Sequence, residues 1–523
     1  MRPFDASGMF RPAADRPGEL RRLAVRGAGV TVLSQTLAFA VQTIATVVLA
    51  RLLTPRDFGL VTMVTTFSLL LLNCGLNGFT EAVLQRDAID RFLASNLFWI
   101  NVGLGLLLAV AFAAAGSLLA RFYAEPRVAG VAAVMSLAIL LNSFSVIHLA
   151  LLKRAMRFSV VSVNDILART ASVAVSILLA WAGWGYWALV AGAIALPLAT
   201  SIGSWSLCRW VPALPRRGFG TGPTVRFAMS TYGRFTANYF TWNLDNLLVG
   251  WRLGPLQLGF YKKAYDLFVL PTNQLSAPLT SVAVSALSRL KHEPAQYKRY
   301  FLGALSILAF VGMGLGADLT LIGKDLIRLL LGPGWEESGR IFTFFGPGIG
   351  LMLLYGTHGW IHLSIGRADR WFRWGMVEFT VTALLFVLAL PWAPVGIAMA
   401  WAASFVILTI PALWYAGRPI QLGISPVIAA VWKYVLASLL AGGASIGIVR
   451  TLPYLVAASD SVGAISHILM ISLVFGTFYV IAVILLHRGL QPFYQVADVL
   501  RDMVPSGRLP APAAAVPATG TRA

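Results

Sequence analysis

The stretch LTPRDFGL at residues 53–60 decides the fold, because the chain repeats its pattern as LGPLQLGF at residues 253–260. Each copy places a leucine two residues before a proline and then a glycine beside an aromatic residue. Each copy also lies between two hydrophobic runs of helical length. Self-similarity at a fixed offset indicates internal duplication. In membrane proteins, such duplication usually produces two halves that enclose a substrate path.

The composition indicates that the chain lies in a membrane. Of its 523 residues, 58% are hydrophobic and 12% are charged, and the mean hydropathy is +0.75. Soluble globular proteins carry about 25% charged residues. The 48 glycines and 26 prolines fall largely within apolar runs, where membrane-spanning helices tolerate both residue types.

The hydrophobic pattern predicts an all-α polytopic membrane protein, since a spanning helix needs about 20 mostly apolar residues. We count fourteen such runs, at about 29–50, 58–80, 95–120, 128–152, 160–182, 186–208, 229–250, 264–287, 300–323, 338–363, 372–391, 394–416, 428–449 and 465–487. In the predicted division, a cytoplasmic N-terminal segment (1–27) precedes an N-lobe of spans one to six (28–208) and a cytoplasmic linker (209–228). A C-lobe of spans seven to twelve (229–416), spans thirteen and fourteen (417–490) and a cytoplasmic tail (491–523) follow. The two six-helix lobes are expected to be pseudo-symmetric.

The distribution of basic residues predicts that both termini lie in the cytoplasm. Most of the 41 lysines and arginines fall in connectors that this orientation places inside, as the positive-inside rule requires. The net charge of +20 therefore indicates membrane topology rather than nucleic-acid binding. With an even number of spans between them, both copies of the repeat lie on the outer face. The halves are then parallel repeats, related by an axis along the membrane normal.

The cysteines and the two terminal regions give no sign of a disulfide framework or a cleaved signal peptide. Cys74 and Cys208 both lie in apolar surroundings, so we expect small core residues and no disulfide framework. The first apolar run is too long for the hydrophobic part of a signal peptide, and we interpret it as an uncleaved span. The Pro/Ala-rich tail after Met503 is expected to be disordered.

The sequence contains only incomplete versions of a nucleotide-binding motif and of a catalytic zinc motif. Gly323-Lys324 is followed by Asp325, and Asp318 stands where a Walker A motif needs glycine. His358 and His362 have the i, i+4 spacing of a zinc helix, but the intervening residues lack the catalytic glutamate; we favour a structural or interfacial role. No Asp-x-Asp pair and no long connector occurs. The chain is therefore predicted not to be an enzyme.

Span seven carries the richest set of polar residues. On a continuous helix, Arg234, Asn238 and Asp245 fall within about 40° of one another. One interpretation is a stripe that faces a hydrated cavity, where Arg234 binds phosphate or sugar hydroxyls and Asp245 carries a proton or binds a sugar. The alternative is a buried pair that bridges to a neighbouring helix.

Span five offers a second polar pair. Asp165 and Arg169 are four residues apart, so they can pair with each other on one helix face. We favour this self-satisfied pair over a substrate contact.

Gate and hinge candidates lie near the ends of the spans. Glu81 ends span two and is either part of an inner gate or solvated at the interface. Lys262 and Lys263 begin span eight on the outer side and are candidates for a gate, but we favour snorkelling to the surface for both. The hinge candidates are the repeated residues themselves, Pro55, Gly59, Pro255 and Gly259.

Several short segments together resemble a known group. They are TEAVLQR at 80–86, SNLFWIN at 95–101, LKRAMRF at 152–158, and DNLLVG at 245–250, which runs into the second copy of the repeat. In this order and spacing, over roughly residues 25–490, the chain resembles the lipid-linked oligosaccharide flippases of the multidrug/oligosaccharidyl-lipid/polysaccharide superfamily. The resemblance is to the O-antigen and exopolysaccharide branch.

The resemblance implies a V-shaped pair of lobes that opens alternately to the two sides of the bacterial inner membrane. The implied cargo is an undecaprenyl-pyrophosphate-linked saccharide repeat unit, bound in a cationic cavity for which Arg234 and Asp245 are the best candidates. Lys262 and Lys263 would be able to meet the departing pyrophosphate only if they did not snorkel to the surface. The expected partners are membrane lipids, a polysaccharide polymerase and the chain-length machinery. No cofactor is expected, and proton and sodium coupling both stay open.

Two alternatives stay open, one from another functional class and one within transport. A membrane enzyme of polysaccharide assembly, such as a polymerase or ligase, would be expected to carry a long outer loop with several arginines. A multidrug or cation antiporter of the same superfamily would not be expected to have a cationic cavity, because such a cavity repels cationic drugs.

Overall fold

The computed structural model describes residues 3–5, 7–10, 17–86, 88–216, 221–451 and 461–495. Within these ranges the chain forms α-helices, two single-turn 3₁₀ helices and two isolated β-bridges. The helices are α1 (Pro17–Leu52), α2 (Pro55–Gln85), α3 (Arg91–Tyr123), α4 (Arg127–Ser143), α5 (Val146–Arg154), α6 (Phe158–Trp181), α7 (Tyr186–Cys208), α8 (Thr221–Thr241), α9 (Leu244–Arg289), α10 (Pro294–Leu331), α11 (Glu336–Ser364), α12 (Ala368–Ala389), α13 (Ala393–Gly417), α14 (Ile424–Thr451) and α15 (Ser461–His487).

The prediction of an all-α polytopic membrane protein is confirmed. Among the described residues, eleven helical segments are long and apolar enough to cross a membrane, and the segment Ala368–Ile420 contains both α12 and α13. Each of the fourteen predicted runs overlaps a helix. Runs seven and eight are not among the eleven apolar segments, so the count of fourteen spans and the two-lobe division stay predictions.

The first copy of the repeat separates two helices through local chemistry. α1 ends at Leu52, and Thr54 caps α2 in a capping box in which its backbone N–H donates to the Asp57 carboxylate over 2.9 Å. Pro55 occupies the first turn of α2, where its missing N–H costs nothing. These signals lie wholly within the segment, which is why the boundary is readable from the sequence.

The seventh predicted run is not one regular helix. α8 begins at Thr221, ahead of the predicted start, and ends at Thr241, and α9 begins at Leu244 after a turn. A further bend follows within α9 at Gly254, whose φ of 79° lies in the left-handed region that favours glycine. Because a turn intervenes, the constant 100° per residue that placed Arg234, Asn238 and Asp245 on one face does not hold.

The helices pack around three apolar clusters. The largest joins residues of α1–α4, α6, α7 and α9–α13, so one core runs through both halves of the chain. A second cluster packs α14 and α15 against α10. A third surrounds α5 and the start of α3, and Phe4 and Phe10 pack against it. The halves meet chiefly where α2 packs along α8 and α9.

Candidate functional site

The two copies of the repeat meet each other where α2 crosses α9, a place we call the crossing. A Cβ atom built on Gly59 would lie 1.7 Å from the Pro255 carbonyl oxygen. A Cβ atom on Gly259 would lie 1.8 Å from the Pro55 carbonyl oxygen. Because real Cβ contacts are essentially never under 3.0 Å, both positions require glycine. The contact is reciprocal, as two duplicated segments facing each other across a pseudo-two-fold axis would produce.

A buried lysine supports the crossing from the side. Lys263 is only 7% exposed, and its Nζ lies 4.0 Å from the centroid of the Phe58 ring, a cation–π contact. Phe58 also packs edge-on against Trp335, whose Nε1 donates to the Ala50 carbonyl oxygen over 2.9 Å. Lys263 therefore does not snorkel to the surface, because the crossing encloses it.

The neighbouring lysine is paired. Lys262 Nζ lies 2.6 Å from the Asp266 carboxylate and 5.3 Å from the centroid of the Tyr265 ring. An anion that approaches Lys262 would have to compete with Asp266. The gate roles of Lys262 and Lys263 stay predictions.

Further contacts between the halves close the molecule at this end. The Arg51 guanidinium donates to the Leu329 carbonyl oxygen over 2.7 Å. Phe122 of α3 stacks on Trp251 of α9 with ring centroids 6.2 Å apart. Together with the crossing, these contacts hold α1 and α3 to the second half.

An ion cluster ties the first copy of the repeat to the turn between α3 and α4. Glu125 accepts two hydrogen bonds from Arg127, both of 2.9 Å, and lies 3.4 Å from Arg56. The hydrogen bonds from the Arg127 guanidinium hold the pKa of the Glu125 carboxyl below its ordinary value.

Three cavities at the end opposite the crossing each have an arginine in their lining. A cavity of about 210 Å³ lies between α2 and α8, lined by Ala82, Gln85, Arg86, Pro223, Thr224 and Phe227. A second, of about 550 Å³, shares two of these residues and adds Gly222 and Arg226. A third, of about 420 Å³, lies along α9 and is lined by Ser281, Val282, Ser285, Ala286 and Arg289. We call these three cavities, each with one arginine, the basic mouth.

The basic mouth could not be predicted from the sequence. Arg86, Arg226 and Arg289 look like ordinary positive-inside charges near the ends of spans, and only the tertiary structure shows that each lines a cavity. Guanidinium groups recognise phosphate oxygens through paired hydrogen bonds. Glu81 is exposed one turn before Gln85 on α2, and its gate role stays a prediction.

Asp245 is buried and bridges two helices. Its Oδ2 accepts hydrogen bonds from the Tyr261 hydroxyl over 2.7 Å and from Trp401 Nε1 over 3.1 Å. Its Oδ1 accepts from the backbone N–H of Asn246 over 2.7 Å. The bridge from α9 to α13 corresponds to the structural alternative considered for this residue. A role in transport stays a prediction for Asp245, and the side chains of Arg234 and Asn238 lie outside the described residues.

The predicted pair on α6 is present. Arg169 Nε donates to the Asp165 carboxylate over 2.9 Å, and both side chains are partly exposed. Each charge therefore has its partner on its own helix.

The chain is similar to a known protein family and to transport and biosynthesis proteins of bacteria. The profile of a family described as "Polysaccharide biosynthesis protein" matches residues 48–340, which is more than half of the chain. The succinoglycan biosynthesis transport protein ExoT of Rhizobium meliloti is 22% identical over 68% of this chain and 72% of its own length. The teichuronic acid biosynthesis protein TuaB of Bacillus subtilis is 23% identical over 71% of this chain and 77% of its own.

Two solved structures share the fold. The lipid II flippase MurJ, in an inward closed conformation, aligns with a TM-score of 0.69 at 14% identity and covers 89% of this chain and 99% of its own. An inward-facing MATE family transporter of the MOP superfamily aligns with a TM-score of 0.56 at 12% identity, over 75% of this chain and 98% of its own.

Proposed function

The chain belongs to the polysaccharide biosynthesis protein family, and we propose that it is a flippase for lipid-linked saccharides. It moves undecaprenyl-pyrophosphate-linked repeat units from the inner to the outer leaflet of the bacterial inner membrane by alternating access. The observation that carries this proposal is the asymmetry of the two ends: the crossing closes one end, and the basic mouth is open at the other.

The predicted topology, with both termini in the cytoplasm, makes the basic mouth the cytoplasmic entrance. A pyrophosphate group that approaches from the inner leaflet would meet Arg86, Arg226 and Arg289 before it reached the centre. The lipid tail stays in the bilayer while the saccharide occupies a hydrated path. This arrangement avoids the transfer of unpaired hydroxyls through hydrocarbon, which costs several kcal/mol for each group.

The crossing acts as the outer pivot in this mechanism. Two helices in backbone contact at Gly59 and Gly259 can rotate about that point, whereas bulkier side chains would interlock. Pro55 and Pro255 begin the helical segments that rotate, and Lys263 sits against the pivot. Arg234 and Asp245 remain the candidates for the central path.

Transport against a gradient requires an energy source, and we propose coupling to a proton or sodium gradient without a bound cofactor. A polysaccharide polymerase and the chain-length machinery are the partners that would consume the flipped product. Catalysis by the chain itself is not part of the proposal, and the relative ExoT is named a transport protein.

Deletion of the gene followed by lipid analysis tests the proposal. Complete lipid-linked repeat units are expected to accumulate on the cytoplasmic leaflet. Loss of the repeat unit itself would contradict the flippase and support an enzyme of assembly.

The purified chain gives a second test in proteoliposomes that contain undecaprenyl-pyrophosphate carrying a fluorescent oligosaccharide. R86A, R226A and R289A should each slow flipping. R340A, which removes a largely exposed arginine at the crossing end, is the matched control. Equal rates for all four variants would remove the basic mouth from the mechanism.

A further inference from the structure

Two histidines of α11 are buried without a full set of hydrogen-bond partners. His362 has no exposed surface, and His358 is 4% exposed. Among the described residues, Nε2 of His358 and both ring nitrogens of His362 have no protein partner. The ring centroids lie 5.9 Å apart. Unpartnered polar atoms are rare in protein interiors, so three at one place require an explanation.

The hydrogen bond of His358 identifies the basic nitrogen. Nδ1 lies 2.6 Å from the backbone carbonyl oxygen of Tyr355. Because a carbonyl oxygen only accepts, Nδ1 must carry the hydrogen. In the neutral ring, Nε2 then holds a free electron pair, and one nitrogen of His362 does the same. The pair therefore presents two proton acceptors in a dry environment.

Charged and titratable groups face the pair on one side from α12 and α13. Arg370 and Asp369 of α12 act electrostatically on His362. The Arg370 guanidinium lies 4.2 Å from the centroid of the Tyr415 ring and donates to the Tyr415 carbonyl oxygen over 2.6 Å. Tyr415 of α13 in turn lies 5.9 Å from the His362 ring, centroid to centroid.

On the other side, Tyr355 connects the pair to a carboxylate. Its ring lies 4.6 Å from the His358 ring, centroid to centroid. Its hydroxyl accepts from Trp374 Nε1 over 2.9 Å and interacts with the Glu378 carboxylate. The polar side chains near the pair thus include those of Tyr355 and Glu378 on one side and Arg370 on the other.

The other helices packed on α11, α9 and α10, contribute uncharged hydroxyl groups near the pair. Tyr297 of α10 hydrogen-bonds to Ser364, over 2.7 Å, next to the end of α11. From α9, Thr280 accepts a hydrogen bond from Trp360. The charged groups that act on His362 are therefore Arg370 and Asp369.

We propose that His358 and His362 together bind one proton, and that this proton drives the chain out of the conformation described here. Two protons would place two cations side by side next to Arg370, so the pair titrates as a unit. Zinc is a poorer occupant, because no group of three potential metal ligands exists among the described residues.

The sign of the effect follows from burial. In this conformation, a protonated ring would be a buried cation near the Arg370 guanidinium, so the closed arrangement favours the neutral pair. A proton binds better to any conformation in which α11, α12 and α13 admit water around the rings. Acidification on the side that supplies the proton therefore shifts the population toward that conformation. The link to transport rests on the proposed flippase function, but proton binding itself does not.

A direct test uses the small number of histidines, six in the whole chain. The full chain, labelled with ring-¹⁵N histidine and placed in lipid nanodiscs, is titrated from about pH 8 to about pH 5 by NMR. Signals of His358 and His362, assigned with H358Q and H362Q, should move together as one proton binds, and H292Q, which removes an exposed histidine, is the control variant. Two rings that stay neutral throughout, or that titrate independently, would overturn the proposal.

A second test measures conformation without any saccharide. Spin labels at W184C and W392C, both largely exposed, report the separation of the halves at the crossing end. One linked proton changes the ratio of the two conformations by about tenfold for each pH unit. The double variant H358Q/H362Q should lose this dependence, and the control H292Q should keep it. An unchanged dependence in the double variant would assign the pair a structural role; if that variant misfolds, the wild-type titration decides. Failure of the flippase proposal would leave both readouts unchanged.

Discussion

Replacement of Gly59 by alanine is the sharpest test of the crossing. The added methyl group would lie 1.7 Å from the Pro255 carbonyl oxygen. To reach the 3.0 Å limit seen for real Cβ contacts, α2 and α9 must separate by at least about 1.3 Å. The obstructing atom belongs to the backbone, so no side-chain rotation can relieve the contact.

The expected cost follows from the packing around the crossing. Overpacking of this kind costs about 1–3 kcal/mol, which lowers the population of the closed conformation by about 5-fold to 150-fold. Leu60 and Leu258, which lie next to the two glycines, are almost fully buried, so separation of the helices also weakens their contacts. G259A should have the same effect, since its contact with Pro55 is the mirror of the first.

The double variant G59A/G259A distinguishes a shared contact from two independent ones. The first alanine already separates the helices, so the second should cost much less than it does alone. A coupling of about 0.5–3 kcal/mol is typical of residues in contact. Additive effects would show that the two glycines act separately.

The assay combines thermal unfolding of the detergent-solubilised chain with the distance between spin labels at W184C and W392C, in a background in which Cys74 and Cys208 are replaced by alanine. G59A should lower the unfolding temperature and populate longer distances. G103A and G303A are the controls, because a Cβ atom at either position meets nothing within 4 Å. If G59A gave the same unfolding temperature and distance distribution as G103A, the crossing would not hold this end closed.

Three further predictions concern individual charges. R234A and D245A should abolish polymer export while the chain still inserts into the membrane, as immunoblotting of membrane fractions would verify; normal polymer yield from both would leave only a structural role. D245A should also lower the unfolding temperature, because it leaves the Tyr261 hydroxyl and Trp401 Nε1 without an acceptor. R340A, which removes an exposed side chain, should leave the unfolding temperature unchanged. E125Q should destabilise the chain by about 1 kcal/mol at neutral pH; because the folded state lowers the pKa of Glu125, this contribution is present above the ordinary glutamate pKa and disappears as pH falls through the lowered value. Thermal unfolding of wild type and E125Q at neutral and acidic pH should therefore converge in acid, and a constant difference would contradict the ion cluster.

Features that depend on neighbours along the chain were readable from the sequence. A run of about 20 apolar residues is unfavourable in water whatever it packs against. Such runs therefore predict membrane helices without knowledge of their partners. The capping box of Thr54 and Asp57 and the helix-starting Pro55 act within a single turn. The Asp165–Arg169 pair is likewise local, with both charges on one helix face.

The predictions that failed depended on regular geometry or on an assumed environment. The polar face of span seven assumed one continuous helix, but the turn between α8 and α9 breaks it. Lys263 was expected at the surface because lysines at helix ends usually reach water. Its burial against Phe58 depends on an α2 segment two hundred positions away.

The sequence by itself determined that the chain is a membrane protein of duplicated design, because hydrophobic length and internal repetition are properties of the chain alone. Only the tertiary structure decided what the repetition does. It brings Gly59 against Pro255 and Gly259 against Pro55 at one end, and it places Arg86, Arg226 and Arg289 in open cavities at the other. The physical reason is that a close contact or a cavity depends on how distant helices pack, and that packing minimises the free energy of the whole chain rather than of any one segment.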